Sequence, residues 1–416
     1  MTEIAPGSKL PLKLIAGADG RDAYALRDYL TRSEVPFLSI SVPPDSREAE
    51  GVFLTGRQLP LVLFADGEML EHPTPAQVAS ALGWVTPPSR SAYDLIIHGA
   101  GPAGLSAAVY AASEGLSVAV VERDAVGGQA GFSSLIENYL GFPGGISGAE
   151  LAERARRQAL SFGADLVLMR HGIARTFKDH DVRAVLADGS EIHARAALSA
   201  TGVQWRRLGL EGEHEWEGAG IYYGAGTSEA SACIGLHVYV VGGANSAGQA
   251  AMNLAAHAAH VTVVVRGASL SSTMSAYLLN RLAVQPNVTI LVHTRIVAVA
   301  GDDHLREITL DQAGATTRVP ATHLFVCIGG APNTEWAKTT DVQLDSRGFV
   351  LTGVDLKPMD LERWPSARPP YYLETSVPGI FAAGDVRANS VKRVASAVGE
   401  GAMAVTLIHR YLAGSG

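Results

Sequence analysis

Twice along this chain an apolar strand runs into a glycine-rich turn, a helix of small residues and a second apolar strand. The first copy reads Asp94–His98, GAGPAG, LSAAVYAASEG and SVAVVE; the second reads Val238–Val241, GGANSA, GQAAMNLAAHAAH and VTVVVR. Each copy is about 25–30 residues, and parallel strands can be joined only by a crossover of this kind, which is right-handed and helical. The chain is therefore constrained to two parallel α/β folds. In each, a glycine turn sits at the carboxyl end of the first strand, where such folds take their ligands.

Composition narrows the class further. Of 416 residues, 47% are hydrophobic and 18% charged, which suits a core-forming globular protein rather than a disordered one. The formal charge of −8 gives no general affinity for nucleic acid or anionic lipid. Two cysteines, Cys233 and Cys327, exclude a disulfide scaffold and any four-cysteine metal or iron–sulfur centre, and no metal is expected. The first residues, MTEIAPGSKLPLKLIAG, lack a signal-peptide pattern, and no apolar run approaches a membrane span. A soluble, cytoplasmic protein is expected, with no membrane or nucleic-acid partner.

In GAGPAG, Gly99 permits the tight turn out of the strand and Gly101 lets backbone approach a pyrophosphate. Gly104 lets the helix pack on the sheet, while Pro102 and Ala103 open that helix. The helix start offers amide donors and a positive dipole end to phosphates. Glu122 ends the next strand, 23 residues after Gly99, where an acid receives ribose hydroxyls. Further on, GIFAAGDVR places Gly384 and Asp385 after an apolar strand, with a helix over Val391–Ala404 close behind. An acid there can hold a ribitol chain, and the helix N-terminus favours an anionic reduced flavin, so FAD is the expected dinucleotide.

GAGPAGLSAA, GGQ (Gly127–Gln129), ENYLGFPGGISGAEL, ATG, GGANSAGQAA, CIGGAPNT, GIFAAGDVR and KRVASAVGEGAMA follow one another in an order and spacing that resemble the low-molecular-weight thioredoxin reductases. These enzymes are FAD-dependent pyridine nucleotide-disulphide oxidoreductases. The resemblance covers 92–416 and implies FAD contacts at Gly128, Gln129, Asn138, Asp385, Lys392, Arg393 and Val394. It also implies an FAD-binding domain in two pieces, 92–216 and 327–416, with an NAD(P)H-binding domain over 217–326 inserted between them. A homodimer is implied as well.

In the second turn, Gly242 and Ala247 fit the nucleotide pattern, but the middle glycine is replaced by Ala244, whose methyl narrows the approach to a pyrophosphate. Gly243, Asn245 and Ser246 complete the candidate loop. Arg266 closes VTVVVR, 24 residues after Gly242, where NAD-specific folds carry an acid; an arginine suits the 2′-phosphate of NADPH. The resembled family has a second arginine beside it, and this chain has Gly267. NADPH, NADH and a second flavin remain alternatives for this pocket.

The resembled enzymes carry a CxxC and an acid just before the second nucleotide strand. Here those positions read Ala225, Gly226, Thr227 and Ser228, with Glu229 at the acid. A dithiol relay needs a thiolate nucleophile and a leaving thiolate, and neither is present. Glu229 and Tyr223 are the remaining candidates for proton donation near the flavin, and Tyr222 and Tyr223 for covering it. Cys233 and Cys327, 94 positions apart, read as buried small hydrophobes.

Residues 1–85 read as a small α/β unit: strand Leu12–Ala16, helix Asp22–Thr31, strands Phe37–Val42 and Leu61–Phe64, and helix Pro75–Leu82. WVTPPSRS follows, with 86–91 as linker. Leu59-Pro60 before a strand resembles a thioredoxin or glutaredoxin fold, but the turn that would hold CxxC reads AGADGRDAY. The expected architecture is thus α/β, with two Rossmann-like nucleotide-binding domains preceded by a small thioredoxin-like domain. The expected function is electron transfer from NAD(P)H through FAD to an unidentified acceptor without a dithiol, with a protein docking on the N-terminal domain as one possible acceptor. The alternative is a redox-sensing or scaffolding flavoprotein with little turnover.

Overall fold

A computed structural model describes residues 9–17, 20–43, 45–49, 51–170, 172–178, 181–224, 229–357, 364 and 368–414. The described residues include seven α-helices: α1 (Arg21–Arg32), α2 (Pro75–Ala81), α3 (Pro102–Ser113), α4 (Gly148–Ser161), α5 (Asn245–Ala255), α6 (Ala276–Ala283) and α7 (Val394–Ala413). The chain falls into two compact units. One joins Met1–Leu82, Phe132–Leu135 and Trp205–Gly330; the other joins Gly83–Gly131, Ile136–Gln204 and Ala331–Gly416.

In the first unit, strands Leu12–Gly17 and Phe37–Val42 pair in parallel through α1, and Leu61–Leu63 and Met69–Glu71 extend the sheet as an antiparallel hairpin. Leu12, Leu14, Ile15 and Leu61 are fully buried, as alternating and continuous apolar strand residues require. α2 begins on a reciprocal capping box: the Thr74 side chain accepts from the Gln77 N–H, the Gln77 side chain accepts from the Thr74 N–H, and Pro75 opens the helix. Leu59-Pro60 is a cis peptide.

The same unit holds a five-stranded parallel sheet in the order Ile221–Tyr223, Leu324–Val326, His237–Val241, His260–Val264, Val288–Leu291. Its central strands, His237–Val241 and His260–Val264, are buried on both faces along their valines, the pattern of a sheet covered by helices. The second copy of the sequence repeat supplies its centre, α5 crossing between two of the parallel strands.

The other unit is built on a sheet in the order Gly172–Lys178, Asp181–Leu186, Glu191–Ser199, Ala92–His98, Val118–Val121, Asp165–Val167. Ile380–Ala382 adds in parallel to the end of Glu191–Ser199. The late strand and α7 thus return to a fold begun by the first repeat. α3 and α7 meet backbone to backbone: a Cβ on Gly401 would lie 2.2 Å from the Ala103 carbonyl oxygen.

Several element bounds differ from the sequence expectation. The helix expected over Val391–Ala404 begins at Val394 and runs to Ala413. Arg393 is extended at its N-cap, Lys392 reaches back to the Asp385 carbonyl, and no proline interrupts the helix before Gly414. α5 starts earlier than expected and ends at Ala255, where the chain turns before His260. Arg266 lies two residues beyond the end of its strand.

Candidate functional site

The first glycine turn has the geometry that a dinucleotide needs. Gly99 sits at φ 102°, and a Cβ there would lie 2.4 Å from the Ala200 carbonyl oxygen. A Cβ on Gly104 would lie 1.9 Å from the Gly99 oxygen, so α3 packs onto the turn only as glycine. Gly101 is different in kind. A Cβ there would meet only the Gly128 Cα, at 3.9 Å, so space stands open beside its backbone. Pro102 opens α3 and Ala103 and Gly104 are buried; no acid occupies the first turn of the helix. The amides at this end are available to an anion.

Glu122 is buried, and each of its oxygens accepts a backbone N–H: Ala100 at 2.7 Å and Asp124 at 2.9 Å. Burial raises its carboxyl above the ordinary range, against the pull of those two amides. The carboxylate thereby ties the strand end to the glycine turn and retains lone pairs for ribose hydroxyls. Gly128 faces Gly101 across this turn, its Cβ position 3.2 Å from the Gly101 Cα. Beside it the Gln129 Oε1 is buried with no hydrogen-bond partner. An orphaned acceptor next to an open glycine cradle fits a flavin dinucleotide, whose ring N–H is a donor for such an acceptor. Asn138 is exposed in the loop that follows.

Asp385 lies in the short turn Gly384–Val386, after the strand Ile380–Ala382. Burial raises its carboxyl, Lys392 pulls it back down and Glu400 adds to the rise. Lys392 donates to the Asp385 carbonyl at 2.6 Å and lies over the Phe349 ring. Lys392 and Arg393 are exposed, and Val394 opens α7, which has no acid in its first turn. A pair that the sequence reading missed holds this turn in place. Glu400 on α7 accepts the Gly384 N–H at 2.7 Å and pairs with Arg387 at 2.8 Å, and Arg387 is only 4% exposed. Burial works against the Arg387 charge, and the hydrogen bond and charge of Glu400 outweigh it. Glu400 stands inside KRVASAVGEGAMA. Its spacing alone did not distinguish a buried partner from a solvated helix acid.

The second turn lies in the other unit. Gly242 is at φ 150°, its Cβ position 2.3 Å from the Cys327 carbonyl oxygen, which explains glycine there. Ala244 is extended and caps α5. The Asn245 Oδ1 accepts the Ser275 N–H at 2.8 Å, and the Thr273 hydroxyl donates to the Gly243 carbonyl. The segment before α6 thus folds back onto the glycine turn. Ser246 and Arg266 are exposed, and Ala247 is fully buried.

Ala225, Gly226, Thr227 and Ser228 lie outside the described residues, as do Ala18 and Asp19 of the N-terminal turn. Glu229 is 2% exposed and pairs with Arg27 of α1 through Oε1 at 3.2 Å. The Tyr223 hydroxyl donates to Glu213 at 3.0 Å. Burial first, then the charge and hydrogen bond of Glu213, push it up to about 12. Tyr222 does not stand ready to cover a flavin: its ring is enclosed by Tyr24, His323 and Phe325 and is 2% exposed. Apolar neighbours in sequence gave no sign of this, because the enclosing rings come from α1 and from the strand Leu324–Val326 and its approach, all remote in sequence. Cys233 closes a short 3-10 turn, Ala230–Cys233, rather than lying on an α-helix. Both cysteine thiols are buried and are pushed up to about 12 by that burial, with the Glu229 charge adding to the rise at Cys233.

Two glycine-turn folds, one carrying a flavin-type acid on a returning segment and one with an arginine past its second strand, define a two-nucleotide oxidoreductase. The family description "pyridine nucleotide-disulphide oxidoreductase" matches residues 93–401, and the chain belongs to that family. It is 32% identical over 322 residues to a thioredoxin reductase of Treponema pallidum (strain Nichols), a match covering 77% of this chain and 97% of that one. It is 33% identical over 333 residues to a thioredoxin reductase of Mycolicibacterium smegmatis, covering 78% and 98%. The crystal structure of T. acidophilum thioredoxin reductase superposes with a TM-score of 0.69 at 28% identity, covering 77% of this chain and 99% of that one. The protein is accordingly an FAD-dependent NAD(P)H oxidoreductase of thioredoxin-reductase type, with FAD and NADPH as its cofactors. Among the described residues no helix is long and apolar enough to cross a membrane.

Proposed function

We propose that this protein passes electrons from NADPH through FAD to an acceptor by a route containing no protein dithiol. The observation that carries the proposal is the state of its two thiols. Cys233 is fully buried and donates to the Glu229 carbonyl at 3.3 Å; Cys327 is 2% exposed and donates to the Gly224 carbonyl at 3.2 Å. Exchange requires an accessible thiolate, and burial holds both groups protonated.

On this reading 92–216 and 327–416 bind FAD, 217–326 binds NADPH, and 1–85 is a thioredoxin-like domain without its dithiol. Gly99, Gly101 and Gly104 admit the FAD pyrophosphate to the start of α3, and Glu122 takes ribose hydroxyls. Gln129 accepts from the flavin, and Asp385 holds the ribitol chain with its turn fixed by Glu400 and Arg387. FAD supplies the two-electron ring that receives hydride. Gly242, Ser246 and Arg266 hold the nicotinamide nucleotide. No side chain need act as acid or base, since hydride transfer chiefly requires two stacked rings. Acceptors compatible with this chemistry are a ferredoxin-like protein, a quinone, oxygen or a small oxidant.

One observation favours a second reading, a flavoprotein that senses redox state and turns over little. Ala244 occupies the middle glycine position, and Asn245 and Gly243 are already engaged by Ser275 and Thr273. A nucleotide must then bind beside a turn that is partly closed.

The double variant Cys233→Ser, Cys327→Ser separates dithiol from dithiol-free chemistry. It is assayed as folded, FAD-loaded protein, because a buried serine leaves a hydroxyl to satisfy. NADPH-driven ferricyanide reduction should persist, and neither wild type nor variant should reduce thioredoxin coupled to a chromogenic disulfide. Thioredoxin reduction by wild type that disappears in the variant would overturn the proposal.

A further inference from the structure

Helix α1 has two faces. Ala23, Leu26 and Leu30 are buried on one. On the other, Arg21, Tyr24 and Arg27 follow one another at i, i+3 spacing, and these, with the buried Arg32 in the last turn, each meet a residue far along the chain in the same compact unit. The Arg21 guanidinium donates to the His214 carbonyl, Tyr24 packs its ring 5.2 Å from that of Tyr222, Arg27 pairs with Glu229, and Arg32 lies over the Phe132 ring. The approach is close at the backbone. Gly218 is at φ 77°, and a Cβ there would come 2.9 Å from the Tyr24 ring and 3.2 Å from the Arg21 Cα.

We propose that residues 1–82 form a resident cap on the nicotinamide-side fold, seated through this face of α1 and clasped by Arg27 on Glu229. The clasp explains why an acid at 229 is tolerated in the core. The side chains are 14% and 2% exposed, so the two charges stand nearly dry, and parting them costs a buried carboxylate its guanidinium partner. A contact of that kind is made or broken as a whole. It does not slide. Glu229 is thereby the anchor of the cap rather than a proton donor, and its carboxylate is closed to a protein partner. The proposal stands whatever the route by which electrons leave the flavin.

Cys233 reports on the cap. Both cysteines belong to the apolar cluster against which Tyr24 packs, but only the Cys233 thiol is bonded to the carbonyl of the clasped Glu229; the Cys327 thiol donates to Gly224, which makes none of the α1 contacts described above. Labelling of the FAD-loaded full chain with N-ethylmaleimide, read peptide by peptide by mass spectrometry, distinguishes the two cysteines. In Arg27→Ala and Tyr24→Ala, Cys233 should label roughly tenfold faster than in wild type, with Cys327 unchanged, as expected for local opening. Arg27→Lys, which keeps the charge and loses the fork, should fall between. An unchanged Cys233 rate in both alanine variants would overturn the proposal. So would equal acceleration at both cysteines in the two variants, which would make this contact part of the nicotinamide core and not a cap. If Arg27→Ala does not fold, Tyr24→Ala and Arg27→Lys carry the same two outcomes.

Discussion

Arg266 stands exposed two residues past the end of the strand His260–Val264, with Gly267 after it. A charge-assisted contact to a 2′-phosphate is worth about 1.5–3 kcal/mol, roughly tenfold to a hundredfold in affinity. Exposure and the missing second arginine put this site at the lower end. Arg266→Ala should therefore remove a roughly tenfold preference for NADPH while leaving NADH binding intact, as read by titration of each nucleotide. An unchanged ratio would mean that another residue selects the phosphate. At this scale the sequence was informative where a residue's position dictates its chemistry. Gly99, Gly104 and Gly242 each proved to have backbone where a side chain would stand, and Glu122 proved to be held at the turn itself. It was silent on Arg27, Arg387 and Glu400, whose importance comes from burial against partners remote in sequence. A charged helix residue carries no mark in sequence of whether water or another charge faces it.

Two glycines of α7 separate close packing from mere helix weakness. Gly401 would drive a Cβ to 2.2 Å from the Ala103 carbonyl oxygen, while a Cβ on Gly399 meets nothing within 4 Å. Gly399→Ala should stabilise the FAD-loaded protein by about 0.5–1 kcal/mol, the ordinary gain of removing a helical glycine. Gly401→Ala should destabilise it by about 1–3 kcal/mol through overpacking against α3. Thermal unfolding followed by circular dichroism should show opposite shifts of the midpoint. A Gly401→Ala variant as stable as wild type would contradict the α3–α7 contact that carries the flavin turn. Strand positions were legible because apolar runs between turn residues have few other fates, and Phe37–Val42 was placed to the residue. Helix ends were less so. α7 begins three residues late because Lys392 reaches back to the Asp385 turn and Arg393 is extended as the N-cap, and runs long because its amphipathic pattern outlasts the motif.

At the scale of the molecule, order along the chain and order in space part company. The linker joins residues 1–82 covalently to the flavin half, yet those residues form one compact unit with Trp205–Gly330. The sequence could show the strands and helices of residues 1–85 and that no cysteine lies among them. It could not show where the domain packs, because the contacts of α1 reach some 200 positions away and follow no local pattern. The duplicated strand–turn–helix unit, by contrast, announced both nucleotide folds. Their activity is most directly tested by mixing FAD-loaded protein with NADPH in a stopped-flow instrument without oxygen. The account predicts rapid bleaching of the oxidised flavin, faster with NADPH than with NADH, and undiminished in the Cys233→Ser, Cys327→Ser variant. A flavin that dithionite bleaches but NADPH leaves oxidised would contradict it.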